Sequence, residues 1–239
     1  MSKTIIWTLF ALFIQTTTAQ AMPCHCFPTR TFDSAKPAAA DSYFLANGQN
    51  AFMAVVFGQE KKDIVLAKQK PGATAEGLWI AHWLSVKTDK DAGELLRAQR
   101  STASWRGAVT SLHIDPQKLP PRFAALLNGG ADEAALSRFI VDSLLTDKGL
   151  VARGELETLR RDGATDQETI LASILARKTG QRPSQLFGMV RKGEVSWGKL
   201  LLKAGIDGGK MVDEIRALLK DAKGKIVSSN RIYPIHERT

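Results

Sequence analysis

The sequence of 239 residues holds only two cysteines, two tyrosines and four histidines, and aromatic residues make up 7% of it. Each shortage excludes a class of protein. Two cysteines cannot build the multi-bridge framework of small secreted domains, so stability has to come from a hydrophobic core. They stand as Cys24 and Cys26, with no C-x-x-C pair and no C-x-x-C-H string, which removes thioredoxin-like centres and haem attachment. The histidines His25, His82, His113 and His236 are scattered, and no two share the i, i+4 spacing that puts two ligands on one helix face. Glycine-rich phosphate loops and EF-hand loops are missing. No stretch approaches the roughly 20 apolar residues that a membrane-spanning helix needs. No segment alternates apolar and polar residues between hairpin turns, so strands are not expected.

What is present begins with a leader. Residues 1–21 carry Lys3, an apolar run from Ile5 to Ile14, a polar stretch and Ala19-Gln20-Ala21 as a small-x-small cleavage site, the signature of a signal peptide. The expected location is therefore exported, periplasmic or secreted. Met22-Pro23 precede Cys24 where a lipoprotein signal needs a small residue, so a lipid anchor is not expected. Residues 22–159 carry 16 basic and 15 acidic groups, whereas residues 160–239 carry 16 and 9. This basic C-terminal half reads either as a solvated face with no dedicated ligand or as a surface for an anionic partner, a protein or an anionic envelope component, and export makes nucleic acid an unexpected one.

Apolar residues recur at helical spacing, as in Ile170, Leu171, Ile174 and Leu175, and again in Met211, Val212, Ile215, Leu218 and Leu219. The chain also repeats itself. Ile80–Asp115 set beside Leu171–Asp207 aligns Lys87-Thr88 with Lys178-Thr179, Ser104-Trp105 with Ser196-Trp197, and Ile114-Asp115 with Ile206-Asp207, with one gap. Gly72, Gly163 and Gly193 follow basic residues suited to a helix C-terminus, and Thr74, Thr165 and Ser196 are N-caps for the next helix, Thr165 with Glu168 as a capping box. A helix-turn-helix unit of this kind cannot bury its apolar face alone. The expected fold is all-α, made of stacked helical hairpins in two related halves, solenoid-like or closed into a globular helical bundle. The divisions are an N-terminal arm at 22–40, a first half at 41–115, a Pro/Gly connector at 116–130, a second half at 131–220 and a basic flexible tail at 221–239. With its leader, its Cys-His-Cys-Phe start and hairpins such as TGQRPSQLFGMVRKGEVSWGKLL, the chain resembles a set of uncharacterised exported bacterial helical-repeat proteins. That resemblance implies a fold and a destination but no activity.

Three strings imitate a catalytic set. Ser196-x-x-Lys199, Ser228-x-Asn230 and Lys178-Thr179-Gly180 are the elements of penicillin-binding proteins and serine β-lactamases, but here K-T-G comes first and closes a helix instead of lining a sheet. Coincidence explains them, and no enzyme is expected. The hairpins also look like DNA-binding helix-turn-helix units, a reading that export opposes. Trp105 and Trp197, equivalent by the repeat, read as core packing rather than ligand-stacking aromatics.

The Cys24, His25 and Cys26 cluster allows two chemistries. In an extended chain the two cysteine Cα atoms lie about 6.6 Å apart, at the edge of disulfide geometry, so a Cys24–Cys26 bond would be strained and labile, with an intermolecular bridge as the alternative. Two thiolates and an imidazole instead suit a soft metal, copper or zinc, although zinc needs a fourth ligand that nothing in the sequence selects. The leading expectation is an exported, non-enzymatic helical-repeat binding or scaffold protein. The alternative is a periplasmic soft-metal or thiol-redox handling protein working through those three residues.

Overall fold

The computed structural model describes residues 27–229, and every regular element among them is helical. Twelve α-helices follow one another: α1 (Asp41–Phe57), α2 (Lys61–Lys68), α3 (Ala75–Thr88), α4 (Ala92–Thr102), α5 (Trp105–Ser111), α6 (Pro121–Asn128), α7 (Glu133–Asp147), α8 (Arg153–Arg161), α9 (Asp166–Thr179), α10 (Pro183–Arg191), α11 (Trp197–Lys203) and α12 (Met211–Ser229). Three-residue 3-10 turns, Pro116–Lys118 and Gly208–Lys210, precede α6 and α12. The lengths recur in order. Helices α2 to α5 have 8, 14, 11 and 7 residues, and α8 to α11 have 9, 14, 9 and 7.

The punctuation read from the sequence sets these boundaries. Thr74 Oγ1 accepts the Gly77 N–H at 2.8 Å, Ser196 Oγ accepts that of Lys199 at 3.1 Å, and Thr165 with Glu168 forms the full capping box. Each satisfies donors that the first helical turn leaves free. At the other end, Gly163, Gly193 and Gly205 take φ of 88°, 73° and 67°, and the next residue donates its N–H back to Leu159, Met189 and Leu201. This is the Schellman closure, and its apolar contact is built in, because Ala164 is buried with Leu159 and Ile206 with Leu201. Three stops use a residue with a side chain, one of them Ala103 at the end of α4 with φ 56°. Asp89 ends α3 at φ 58° and His113 follows α5 at φ 52°, where the aligned second-half residues are Gly180 and Gly205.

Helix α9 buries eight successive residues, Thr169–Ala176, and so is surrounded on all sides. The chain crosses itself around it: α1 packs along α9, and α7 packs along α3. A Cβ on Gly48 would stand 3.3 Å from Leu171 Cδ1, so this glycine lets α1 lie close to α9. The first residue of each crossing helix also reaches over. Asp41 accepts the N–H groups of Trp197 and Gly198 at 3.1 and 2.9 Å, and Glu133 accepts Trp105 Nε1 at 2.8 Å and Thr74 Oγ1 at 2.7 Å. In a solenoid each repeat touches only its neighbours, whereas α1 touches α9, α11 and α12. Of the two expected architectures, the packed bundle is the one observed.

Two stretches differ from the sequence reading. The connector at 116–130 contains α6, whose Phe123 and Leu127 are buried, Phe123 against Trp83 with ring centroids 4.6 Å apart. Its prolines and glycines marked it as a connector, and Pro121 sits in the first helical turn, where the missing N–H costs nothing. Helix α12 continues to Ser229, well into the stretch read as a flexible tail from 221. Nothing between Asp221 and Ser229 is a proline, so the helix started by Met211, Ile215 and Leu218 has no stop there.

Candidate functional site

Cys24, His25 and Cys26 lie outside the described residues. Phe27, the next in the chain, packs edge-on against Tyr43 of α1 with ring centroids 5.8 Å apart, and Phe32 lies where a Cβ on Gly198 would meet it at 3.0 Å. The visible part of the arm therefore rests on α1 and α11. Trp105 and Trp197 are buried, as core packing requires, and neither ring faces solvent. Lys178 pairs with Glu214 at 2.8 Å, Gly180 ends α9 at φ 76°, and Ser196 caps α11, so these residues of two of the catalytic-looking strings serve the fold, and Ser228-x-Asn230 runs outside the described residues. His82 is half-buried and stacks on Phe57 at 5.5 Å, and burial lowers its pKa. Among the described residues no group of three or more His, Cys, Asp or Glu is placed to hold a metal ion.

The arrangement that sequence reading missed is a groove of about 400 Å³ between α6, α7 and α8. Helix α7 offers Ala135, Arg138, Phe139, Asp142, Ser143 and Thr146, the i, i+3, i+4, i+7 spacing of one helix face. Helix α8 offers Arg153, Leu156, Glu157 and Arg160 at the same spacing, and α6 adds Arg122 and Leu126. Leu126, Phe139 and Leu156 supply apolar wall. Four guanidinium groups thus face two carboxylates.

They are not equivalent. Arg160 is a structural group with a side chain 12% exposed, reaching Asp142 Oδ1 and Asp166 Oδ1 at 2.6 Å each and the Ala164 carbonyl at 2.9 Å. Asp166 in turn accepts the Ser137 hydroxyl at 3.1 Å. Burial raises the pKa of Asp142, and its bonds to Arg160 oppose the rise. Such a network is costly to break from one side, since each removal leaves a partner unpaired. Arg122, Arg138 and Arg153 are all exposed, and none of them makes an ion pair among the described residues. Their planar forks are free to meet a phosphate or carboxylate with two parallel hydrogen bonds. The basic surface that the structure assembles as a groove comes mostly from residues before 160, not from the basic C-terminal half.

No protein-family model matches the chain, and no curated protein or solved structure matches it either.

Proposed function

We propose that this chain is an exported, non-enzymatic binding protein, built from two related helical halves, and that it takes a phosphate-bearing component of the cell envelope in the α6–α7–α8 groove. The observation that carries the ligand chemistry is the trio Arg122, Arg138 and Arg153, unpaired around a groove whose fourth arginine is already neutralised. Export rests on the leader sequence at residues 1–21. Support for the two halves comes from the recurring helix lengths and from equivalent buried positions: counted from Asp41 and Glu133, Phe44, Gly48, Gln49 and Met53 match Leu136, Ile140, Val141 and Leu145.

The test is direct titration with sodium tripolyphosphate and with phosphatidylglycerol vesicles at low and at physiological salt. Saturable binding that weakens with salt and falls about tenfold or more in Arg138→Ala and in Arg122→Ala/Arg153→Ala is expected, the scale of losing a charge-assisted contact. Preference for vesicles would assign a lipid headgroup, and preference for tripolyphosphate a soluble or wall-linked phosphate. Binding to neither, or equal binding by the variants, would overturn the reading.

A further inference from the structure

The two halves place a basic residue at the same point of the fold and treat it differently. Arg160 is the eighth residue of α8, and Lys68 is the eighth of α2. Arg160 reaches Asp142, the tenth residue of α7, and Lys68 reaches Asn50, the tenth of α1, with Nζ 2.5 Å from Asn50 Oδ1. Arg160 has a second carboxylate in Asp166, the first residue of α9, and the first residue of α3 is Ala75. Both acids that neutralise Arg160 are thus absent around Lys68. In their place stand the neutral amides of Asn50 and Gln49, the latter 3.4 Å from Nζ and itself fixed by the Gln167 side-chain N–H at 2.9 Å. Glu76 on α3 is the carboxylate whose field reaches the amine, and it forms no ion pair with it among the described residues.

An ammonium group taken out of water and met only by amide oxygens is under-compensated, because an amide dipole offsets less of the burial cost than a full negative charge. Desolvation accordingly lowers the Lys68 pKa to about 8. The neutral amine loses little by comparison, since it still donates a hydrogen to Asn50 Oδ1. The neutral amine carries a lone pair for an incoming electrophile, on a side chain that is only partly buried.

We propose that Lys68 is a nucleophilic amine that captures small aldehydes as an imine. The neutral ε-amine adds to the carbonyl carbon, and the nitrogen gives up its protons to solvent. The carbonyl oxygen, protonated from solvent, departs as water and leaves a C=N bond. Nothing is oxidised or reduced, and one aldehyde plus one amine yields one imine plus one water. The site is independent of the arginine groove.

The test uses the full chain with limiting formaldehyde and sodium cyanoborohydride, which reduces each imine to a stable methylamine read by peptide mass spectrometry. At pH 7 an amine near pKa 8 has a neutral fraction about 300-fold above that of an ordinary lysine, and its lower basicity gives back part of that advantage. Lys68 is therefore expected to label about tenfold faster than exposed Lys62 and Lys70, with the lead vanishing above about pH 10. Asn50→Asp, which restores the carboxylate present in the other half, is expected to remove the lead in a chain that still melts cooperatively. Labelling of Lys68 no faster than Lys62 and Lys70 at pH 7 would overturn the proposal, as would an unchanged lead in Asn50→Asp. If that variant fails to fold, carbon-13 methyl titration of the wild-type chain decides: a Lys68 midpoint near 8 supports the proposal and one near 10.5 refutes it.

Discussion

Removing the Glu133 carboxylate should destabilise the bundle through a single indole. Glu133 opens α7 and accepts three donors from the first half: Trp105 Nε1 at 2.8 Å, Thr74 Oγ1 at 2.7 Å and Gln99 Nε2 at 3.3 Å. The Thr74 hydroxyl is exposed and turns to water when the acid is gone, and the Gln99 contact is long, so both contribute little. Trp105 is 4% exposed, and its indole N–H has no other partner among the described residues. A hydrogen bond from a buried donor to a charged acceptor, lost so that the donor is stranded, costs about 2–3 kcal/mol. For a chain of this size that is a fall in Tm of about 4–6 °C. Urea and thermal unfolding of Glu133→Ala, followed by circular dichroism and tryptophan fluorescence, would read it. Glu133→Gln keeps an amide oxygen for the indole and should cost about 1 kcal/mol. In a Trp105→Phe background the donor is already absent, so Glu133→Ala should lose most of its effect there, a coupling of about 1.5–2 kcal/mol. A cost under about 0.5 kcal/mol, or simple additivity with Trp105→Phe, would show that this contact between α7 and α5 carries no load.

Two further outcomes follow from the same geometry. His113→Gly should stabilise the chain by about 1 kcal/mol, because a side chain at φ 52° strains a stop that the aligned Gly205 makes freely, and a denaturant midpoint that falls instead would assign the imidazole a contact of its own. Asp41 has its pKa raised above 3.8 by burial, with its bonds to the Gly198 and Trp197 N–H groups opposing the rise. A raised folded-state value means that its contribution is fully present below the unfolded pKa and is lost as pH rises through the folded one. Measured between pH 3 and pH 7, the stability lead of the wild-type chain over Asp41→Asn should shrink as pH rises, and a lead that grows would reverse the assignment.

How much of this was open to a reader of the sequence depends on the range of the interaction. Caps and stops are local, so Thr74, Thr165, Ser196, Gly163 and Gly193 announce themselves within a few residues and stand where expected. Their agreement with apolar spacing is what made an all-helical fold legible. The crossing of α1 onto α9 and of α7 onto α3 is not local. It depends on Gly48 meeting Leu171 and on Asp41 and Glu133 reaching the opposite series, contacts across more than a hundred residues for α1 that no periodicity encodes. The arginine groove is hidden for the same reason, since its walls come from three helices and only the helical spacing of Arg138 with Asp142 and of Arg153 with Arg160 hinted at shared faces.

Lys68 was hidden differently. In sequence, Lys68 against Arg160 and Asn50 against Asp142 pass as conservative pairs, and only the structure shows that the second member of each pair is in contact with the first. The exchange of Asp for Asn then stops being conservative, because it removes one of the two negative charges that meet the cation at the matching position. Asp89 and His113 belong to the same pattern, side chains held at positive φ where the other half has Gly180 and Gly205. These three departures, like Ala103 at φ 56°, fall before α6, and at the positions matched to the three, Arg160, Gly180 and Gly205 follow the ordinary rule. Departures of this kind lower stability wherever they occur, and proteins keep them where a site needs them. Of the three, only Lys68 bears a primary amine, the group that forms an imine, which is why the aldehyde experiment is aimed there and the glycine substitution at His113.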